Sequence, residues 1–193
     1  MGKIFLEKML NSEKFEESIV RLRTSINCIK NKKVILITST FKNEGKSQIA
    51  LSLAISLSQI QKKILLLDAD IRKNKKSITN TLCDYLNGDV EVYKIINNTN
   101  FQNLDFICAG NGNINLLENQ LFFQLIEYAK SKYDYILIDS ASSSFNEPFI
   151  LSKYSDGILF VIRENYMNIN KILEIKEKLN KNKKIIGAVL NNY

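Results

Sequence analysis

The sequence predicts an α/β fold in which a mostly parallel sheet is covered by helices on both faces. Short apolar runs alternate along the chain with segments whose apolar residues recur at helical spacing. The runs are continuously apolar, which is typical of parallel strands that are buried on both faces. A length of 193 residues with 45% hydrophobic content suits one domain with a single substantial core. We therefore expect residues 1–193 to form one domain with right-handed crossovers between its strands.

The individual elements follow from this pattern. Strands are expected at six apolar runs: 34–37, 64–67, 104–107, 135–138, 158–162 and 185–190. Helices are expected where apolar residues form a stripe. The stripes are Phe15, Ile19, Leu22 and Ile26; Ile49, Leu53, Leu57 and Ile60; Leu121, Leu125 and Tyr128; and Ile169, Ile172, Ile175 and Leu179. The first of these helices belongs to an N-terminal segment, residues 1–30, that precedes the first strand.

Composition excludes several kinds of chemistry. The chain contains no His, and its three Cys form no CxxC pair, so neither a zinc site nor a disulfide framework is expected. Cys28 and Cys108 are interpreted as small apolar packing residues. The absence of His also excludes Ser-His-Asp and Cys-His catalysis. Any catalysis must use carboxylates, Lys, Arg, hydroxyls or a metal.

Hydropathy and charge indicate a cytoplasmic protein that does not bind nucleic acid. No apolar run approaches the roughly 20 residues that a membrane span needs, and no signal peptide is evident. The net charge of +7 comes from Lys residues that are scattered through the chain. We interpret them as solvated residues that form no nucleic-acid-binding patch.

A loop with phosphate-binding character follows the first predicted strand. Residues 40–47 read Thr-Phe-Lys-Asn-Glu-Gly-Lys-Ser and open the next helix, which predicts a P-loop NTPase fold. In such a loop the backbone N–H groups face phosphate, Lys46 reaches the β- and γ-phosphates, and the Ser47 hydroxyl binds Mg²⁺. Thr40 occupies the first glycine position of the pattern, and an ordinary strand-to-helix turn is the alternative interpretation. The expected nucleotide-binding residues of the loop are Asn43, Glu44, Gly45, Lys46, Ser47 and Gln48.

Acidic residues end two other predicted strands. Asp68 and Asp70 follow the run 64–67, and Asp139 follows the run 135–138. Ligands bind at the carboxyl edge of open α/β sheets, so these carboxylates are expected near the loop. There they could hold Mg²⁺ or accept a proton from a substrate hydroxyl. A solvated acidic turn is the alternative for Asp70 alone.

Several segments together resemble the bacterial tyrosine kinases in order and spacing, from about Glu17 to the end of the chain. The segments are 45–47, 65–73, 133–139, 156–157 and 187–191, of which Asp-Ala-Asp-Ile-Arg-Lys at 68–73 is the most discriminating. The resemblance assigns Lys46 and Ser47 to the Walker A motif, Asp68 and Asp70 to Walker A′, and Asp139 to Walker B. It also implies that Asn191 meets the adenine.

The resemblance implies transfer of the ATP γ-phosphoryl group to a tyrosine hydroxyl, with ATP and Mg²⁺ as cofactors. The implied catalytic residues are Lys46, Asp68 and Asp70. The implied metal-binding residues are Ser47, Asp70 and Asp139. The fold expected from the same resemblance is that of MinD and ParA.

Partners are implied as well. Members of the family act on protein tyrosines and regulate capsule and exopolysaccharide export. A transmembrane polysaccharide co-polymerase or adaptor protein is expected to recruit the chain to the inner face of the cell membrane. A homo-oligomeric ring is implied through a Glu-x-x-Arg-x-x-Arg motif that Glu17 and Arg23 match, whereas Val20 replaces the middle Arg.

The chain departs from the family at its loops, which leaves two alternatives open. This chain has Lys42-Asn43 where the family has Pro-Gly, and Ser140-Ala141-Ser142 where the family has Thr-Pro-Pro. One alternative is a ParA/MinD-like ATPase switch, although those proteins carry Lys where Phe41 stands. The other is a degenerate, noncatalytic nucleotide-binding regulator of polysaccharide export.

Overall fold

The computed structural model describes residues 12–72, 80–164, 169–179 and 184–192. Within them, seven strands form one sheet in the order β3-β4-β2-β5-β1-β6-β7. Neighbouring strands are parallel except β3 and β4, which are antiparallel. The strands are β1 Val34–Ser39, β2 Ile64–Asp68, β3 Asn97–Asn98, β4 Leu104–Ile107, β5 Tyr135–Asp139, β6 Gly157–Arg163 and β7 Ile185–Asn191. The predicted α/β class and all six predicted strands are confirmed.

The helices include the four that were predicted and several short ones. They are α1 Glu13–Cys28, α2 Lys46–Ser58, α3 Leu82–Leu86, α4 Val92–Ile95, the 3₁₀ helix Ile114–Glu118, α5 Gln120–Lys132, α6 Glu147–Leu151 and α7 Ile169–Leu179. The short helices span only four or five residues, less than two turns, so they show too little periodicity to be predicted. Strand β3 escaped prediction because both of its residues are Asn.

Two apolar layers sandwich the sheet, and successive strand residues face opposite layers. In β1, Ile35 and Ile37 pack with α1 and α2, whereas Val34 and Leu36 pack with the helices of the other layer. That second layer contains residues of α3, α4, α5, α6 and α7. Strands β1, β2 and β5 are buried along their whole length. The predicted covering of both faces is therefore confirmed.

Two smaller predictions are wrong. Ile60 is 37% exposed, because α2 ends at Ser58 and the apolar stripe ends with it. Cys28 is exposed, whereas Cys108 is buried as predicted. Cys28 lies two residues after the buried Ile26, about 200° further around the helix, and so points away from the α1 stripe.

Some predictions concern residues that the structure does not describe. The first 11 residues of the N-terminal segment, Lys73 of the 68–73 motif and Tyr193 lie outside the described residues. The single domain over 1–193 stays a prediction. Among the helices that are described, none is long and apolar enough to cross a membrane.

Candidate active site

The loop between β1 and α2 depends on two residues with left-handed backbone. Gly45 is the N-cap of α2 with a φ of 86°. A Cβ at this position would be strained at that φ and would lie 2.1 Å from Nδ2 of Asn191, which would have to move, so the position favours glycine. Asn43 has a φ of 61°. Asn adopts this region more readily than most residues, so the loop keeps its path although the family's glycine is absent.

Glu44 and Asn191 hold the loop in place. The Glu44 carboxylate accepts hydrogen bonds from the Phe41 N–H at 2.6 Å and the Arg163 N–H at 3.2 Å. The Glu44 carbonyl accepts a hydrogen bond from Nδ2 of Asn191 at 2.9 Å. Because the Glu44 side chain is buried in these contacts, only its backbone is available for the predicted nucleotide contact. Asn191 likewise uses its amide within the chain, and its adenine contact stays a prediction.

Lys46 lies where a phosphate would be expected to bind. It is the first residue of α2, and its side chain is buried except for 8% of its surface. The helix N-terminus has no side-chain capping bond, so its first N–H groups add positive charge beside the ammonium. A cavity of about 180 Å³ opens here, lined by Lys42, Asn43, Lys46, Asp70, Arg72, Ala141, Ser142 and Phe145.

The three acidic residues meet at the carboxyl edge as predicted. Asp68 and Asp139 are register partners at the ends of the neighbouring strands β2 and β5. The Ala69 N–H donates to the Asp139 carbonyl at 2.8 Å, and the Asp70 N–H donates to Oδ1 of Asp68 at 3.1 Å. All three acids are at most 9% exposed. Of the three, Asp70 lines the cavity together with Lys46.

The remaining predicted residues sit in the first turn of α2. Ser47 is exposed and Gln48 is half-buried, and neither is among the residues that line the cavity. A nucleotide could still reach Ser47, because the residue directly follows Lys46 at the helix N-terminus. The predicted contacts of Ser47 and Gln48 stay predictions.

The donor set at this edge fits Mg²⁺ only together with a phosphate ligand. Among the described residues, no group of three or more acidic or Cys side chains could hold a metal alone. Mg²⁺ usually binds through one or two carboxylates, substrate phosphates and water. Hard oxygen ligands are present at this edge in the Asp70 and Asp139 carboxylates and the Ser47 hydroxyl. Asp70 lines the same cavity as Lys46, so a phosphate bound there could supply the remaining ligands.

Hydroxyl groups support the loop after β5 where the family has prolines. Oγ of Ser140 donates to the Ile37 carbonyl at 3.0 Å, and Oγ of Ser143 donates to the Ser39 carbonyl at 2.6 Å. Oγ1 of Thr38 donates to the Ala141 carbonyl at 3.1 Å. The segment is therefore fastened to β1 by hydrogen bonds, which replace the stiffness that prolines would give.

Sequence reasoning missed two residues near the cavity, Phe145 and Glu147. Phe145 packs beneath two cations, with Nζ of Lys42 at 4.9 Å and Cζ of Arg72 at 4.4 Å from its ring centroid. Nε of Arg72 donates to Oε1 of Glu147, which is fully buried at the start of α6. No local pattern marks Phe145 or Glu147, because their role depends on contacts with residues more than 70 positions earlier in the chain.

Comparison with known proteins decides the family. A family model described as an AAA domain matches residues 32–190. The tyrosine-protein kinase CpsD of Streptococcus agalactiae serotype III is 33% identical over an alignment 197 residues long, which covers 95% of this chain and 85% of that protein. This chain belongs to the bacterial tyrosine-protein kinase family.

Solved structures agree on the fold of this kinase-family chain. The kinase domain of the Escherichia coli tyrosine kinase ETK superposes with a TM-score of 0.84 at 24% identity, covering 92% of this chain and 75% of that one. The septum site-determining protein MinD of Pyrococcus horikoshii, complexed with Mg-ADP, gives a TM-score of 0.68 at 20% identity, with coverages of 82% and 68%. The predicted P-loop NTPase fold of MinD type is confirmed.

Proposed function

We propose that this protein is an ATP-dependent protein-tyrosine kinase of the bacterial type. The observation that carries the proposal is the shared cavity of Lys46 and Asp70 at the N-terminus of α2. A cation that binds phosphate and a carboxylate that could receive a proton thus face the same space. Membership of the tyrosine-kinase family supports the choice of a tyrosine hydroxyl as the acceptor.

In the proposed reaction the tyrosine oxygen forms a bond to the γ-phosphorus of ATP while the bond from that phosphorus to the bridging oxygen breaks, leaving ADP. The phenolic proton passes to a carboxylate, for which Asp68 and Asp70 are the candidates. Lys46 and the N–H groups at the α2 N-terminus offset the negative charge on the phosphates. Mg²⁺, when bound by Ser47, Asp70 and Asp139, would neutralise phosphate charge and orient it.

The finer proposals concern partners and location. We place the protein in the cytoplasm, recruited to the inner face of the membrane by a transmembrane polysaccharide co-polymerase, where it regulates capsule or exopolysaccharide export. A ring would use α1, on which Arg21 and Val20 are exposed. Arg23 instead donates to the Ser56 carbonyl of α2 at 3.1 Å, so within one chain it fastens α1 to the domain.

The test is a phosphotransfer assay. The purified chain is incubated with γ-labelled ATP, Mg²⁺ and a synthetic Glu–Tyr copolymer, with and without the cytoplasmic segment of a neighbouring adaptor gene product. We expect phosphotyrosine from the wild type and none from Lys46→Met, while the matched control Lys132→Met, at the opposite edge, behaves as wild type. Release of ADP without phosphotyrosine would favour the ATPase switch. Nucleotide binding without turnover would favour the noncatalytic regulator.

A further inference from the structure

A fully buried carboxylate outside the predicted site carries a further inference, which rests on the proposed kinase function. Glu147 has no exposed surface, and its Oε1 accepts a hydrogen bond from Nε of Arg72. The Arg72 side chain is 47% exposed. The pair joins the segment that follows β2 to the segment that follows β5, and both segments border the cavity.

Stability alone does not explain this pair. Burying a carboxylate is costly, and a buried ion pair often stabilises a protein no more than apolar residues of similar volume would. The second oxygen of Glu147, Oε2, is also buried and has no hydrogen-bond partner among the described residues. Among the described contacts, one hydrogen bond from Arg72 is therefore all that compensates this carboxylate. The main effect of the pair is to hold Arg72 in position.

The position of Arg72 is fixed on two sides. Its guanidinium carbon lies 4.4 Å from the centroid of the Phe145 ring, a stacking distance, while Glu147 engages Nε. Arg72 itself lines the cavity beside Asp70 and Lys46. Among the described residues, Glu147 engages only Nε, which leaves the two terminal amino groups of Arg72 as donors for an anion. A planar guanidinium can bind phosphate through two parallel hydrogen bonds.

We propose that Glu147 is a positioning residue of the kinase. It acts through Arg72, whose terminal amino groups donate to the non-bridging oxygens of the phosphoryl group during its transfer from ATP to tyrosine. Glu147 touches neither nucleotide nor protein substrate. Phe145 completes the arrangement by supporting the face of the guanidinium.

The test compares Glu147→Gln with wild type in the copolymer assay, at saturating ATP and Mg²⁺. The amide keeps the shape of the side chain and removes the charge that orients Arg72. We expect kcat to fall about 10- to 100-fold, the worth of a hydrogen bond between charged groups. The ATP dissociation constant and the KM for the copolymer should change by less than about threefold, because Lys46 and the loop are untouched. A kcat equal to that of wild type would overturn the proposal.

A double-mutant cycle separates positioning from a merely structural role. In an Arg72→Gln background, Glu147→Gln should lower kcat no further, because Arg72 is no longer there to be positioned. Equal losses in both backgrounds would show that Glu147 acts independently of Arg72 and would refute the proposal.

Arg72→Lys provides a variant that keeps the buried charge compensated, so it tests the idea even if Glu147→Gln does not fold. It should fold and bind ATP but lose about tenfold or more in kcat, because an ammonium cannot form the paired hydrogen bonds. Wild-type kcat in this variant would refute the role of Arg72. Failure of the wild type itself to form phosphotyrosine would instead defeat the proposed function, so the two failures are distinguishable.

Discussion

Acidic residues have different roles at the two edges of the sheet, the amino edge where the parallel strands begin and the carboxyl edge where they end. At the amino edge, Oδ2 of Asp156 accepts hydrogen bonds from the N–H groups of Lys33 at 3.0 Å and Val34 at 2.8 Å, and Asp156 is half-buried. At the carboxyl edge, Asp70 and Asp139 are at most 9% exposed, and Asp70 lines the same cavity as the buried Lys46. An acid that bonds backbone at a strand start contributes to stability, whereas acids buried beside a phosphate-binding loop are available for chemistry.

The lysines of the two edges differ in the same way. Lys130 and Lys153 at the amino edge form ion pairs with Glu127 and Glu118 on the surface, and such pairs contribute little. Lys46 is almost completely buried and lines a cavity together with Asp70, which fits the rule that a buried ammonium requires an anion nearby. Residue type alone would not separate these lysines, but their burial does.

The largest expected effect comes from Lys46→Met at the carboxyl edge. Removal of the ammonium should lower phosphotransfer about 100-fold or more, as loss of a transition-state donor commonly does. The melting temperature should change little, because the loop is held by Glu44 and Asn191. Phosphotyrosine formation and thermal unfolding measure the two quantities. Unchanged turnover would contradict the assignment of phosphate binding to the carboxyl edge.

Asp139→Asn should act on the metal-dependent part of nucleotide binding. The change removes a negative charge and keeps the shape, so we expect about a tenfold loss of affinity for Mg·ATP and a smaller loss for ATP with chelator. Titration calorimetry under both conditions measures the difference. Equal losses would mean that Asp139 supports the fold in the same manner as the acids of the amino edge.

Asp156→Ala tests the amino edge by the opposite criterion. Two backbone N–H groups lose their acceptor, so the free energy of unfolding should fall by about 1–3 kcal/mol. Phosphotransfer per folded molecule should remain at the wild-type level. Denaturant unfolding together with the kinase assay checks both parts, and a selective loss of activity in a stable variant would contradict the division between the edges.

The smallest effect is expected from Tyr133→Phe, also at the amino edge. The Tyr133 phenol donates to Oδ2 of Asp105 at 2.8 Å, and burial, followed by this bond, raises the pKa of Tyr133 above its ordinary value of 10.0. The folded state then keeps the phenolic proton at pH values where the unfolded state releases it, so this contribution to stability is lost as pH rises above about 10.

The variant should be less stable by about 1 kcal/mol at neutral pH, which is the worth of the lost hydrogen bond. Its stability should also fall less steeply than that of wild type between about pH 9.5 and 11, on either side of the ordinary tyrosine pKa of about 10. Urea unfolding of both proteins at matched pH gives the comparison. Parallel pH profiles would show that Tyr133 does not titrate differently in the two states.

The strands and the acidic strand ends could be predicted because both are local. A continuous apolar run specifies a buried strand, and the carboxyl ends of parallel strands share an edge, so Asp68 and Asp139 were expected together. The role of Glu44 was harder to predict from the sequence, because its side chain accepts a hydrogen bond from the N–H of Arg163, 119 residues away. Glu147 and Phe145 could not be found, since their contacts with Arg72 arise only when two loops come together.

The most direct test of the central claim, that the carboxyl edge binds Mg·ATP through its phosphates, is a calorimetric titration of ATP in Mg²⁺. Wild type and Lys46→Met are titrated in parallel, each with and without the cytoplasmic segment of the adaptor. Wild type is expected to bind weakly alone and more tightly with the segment, because a partner that orders the site reduces the entropy cost of binding. Lys46→Met is expected to bind at least about tenfold more weakly in both conditions. Equal affinities of wild type and Lys46→Met in both conditions would contradict the account.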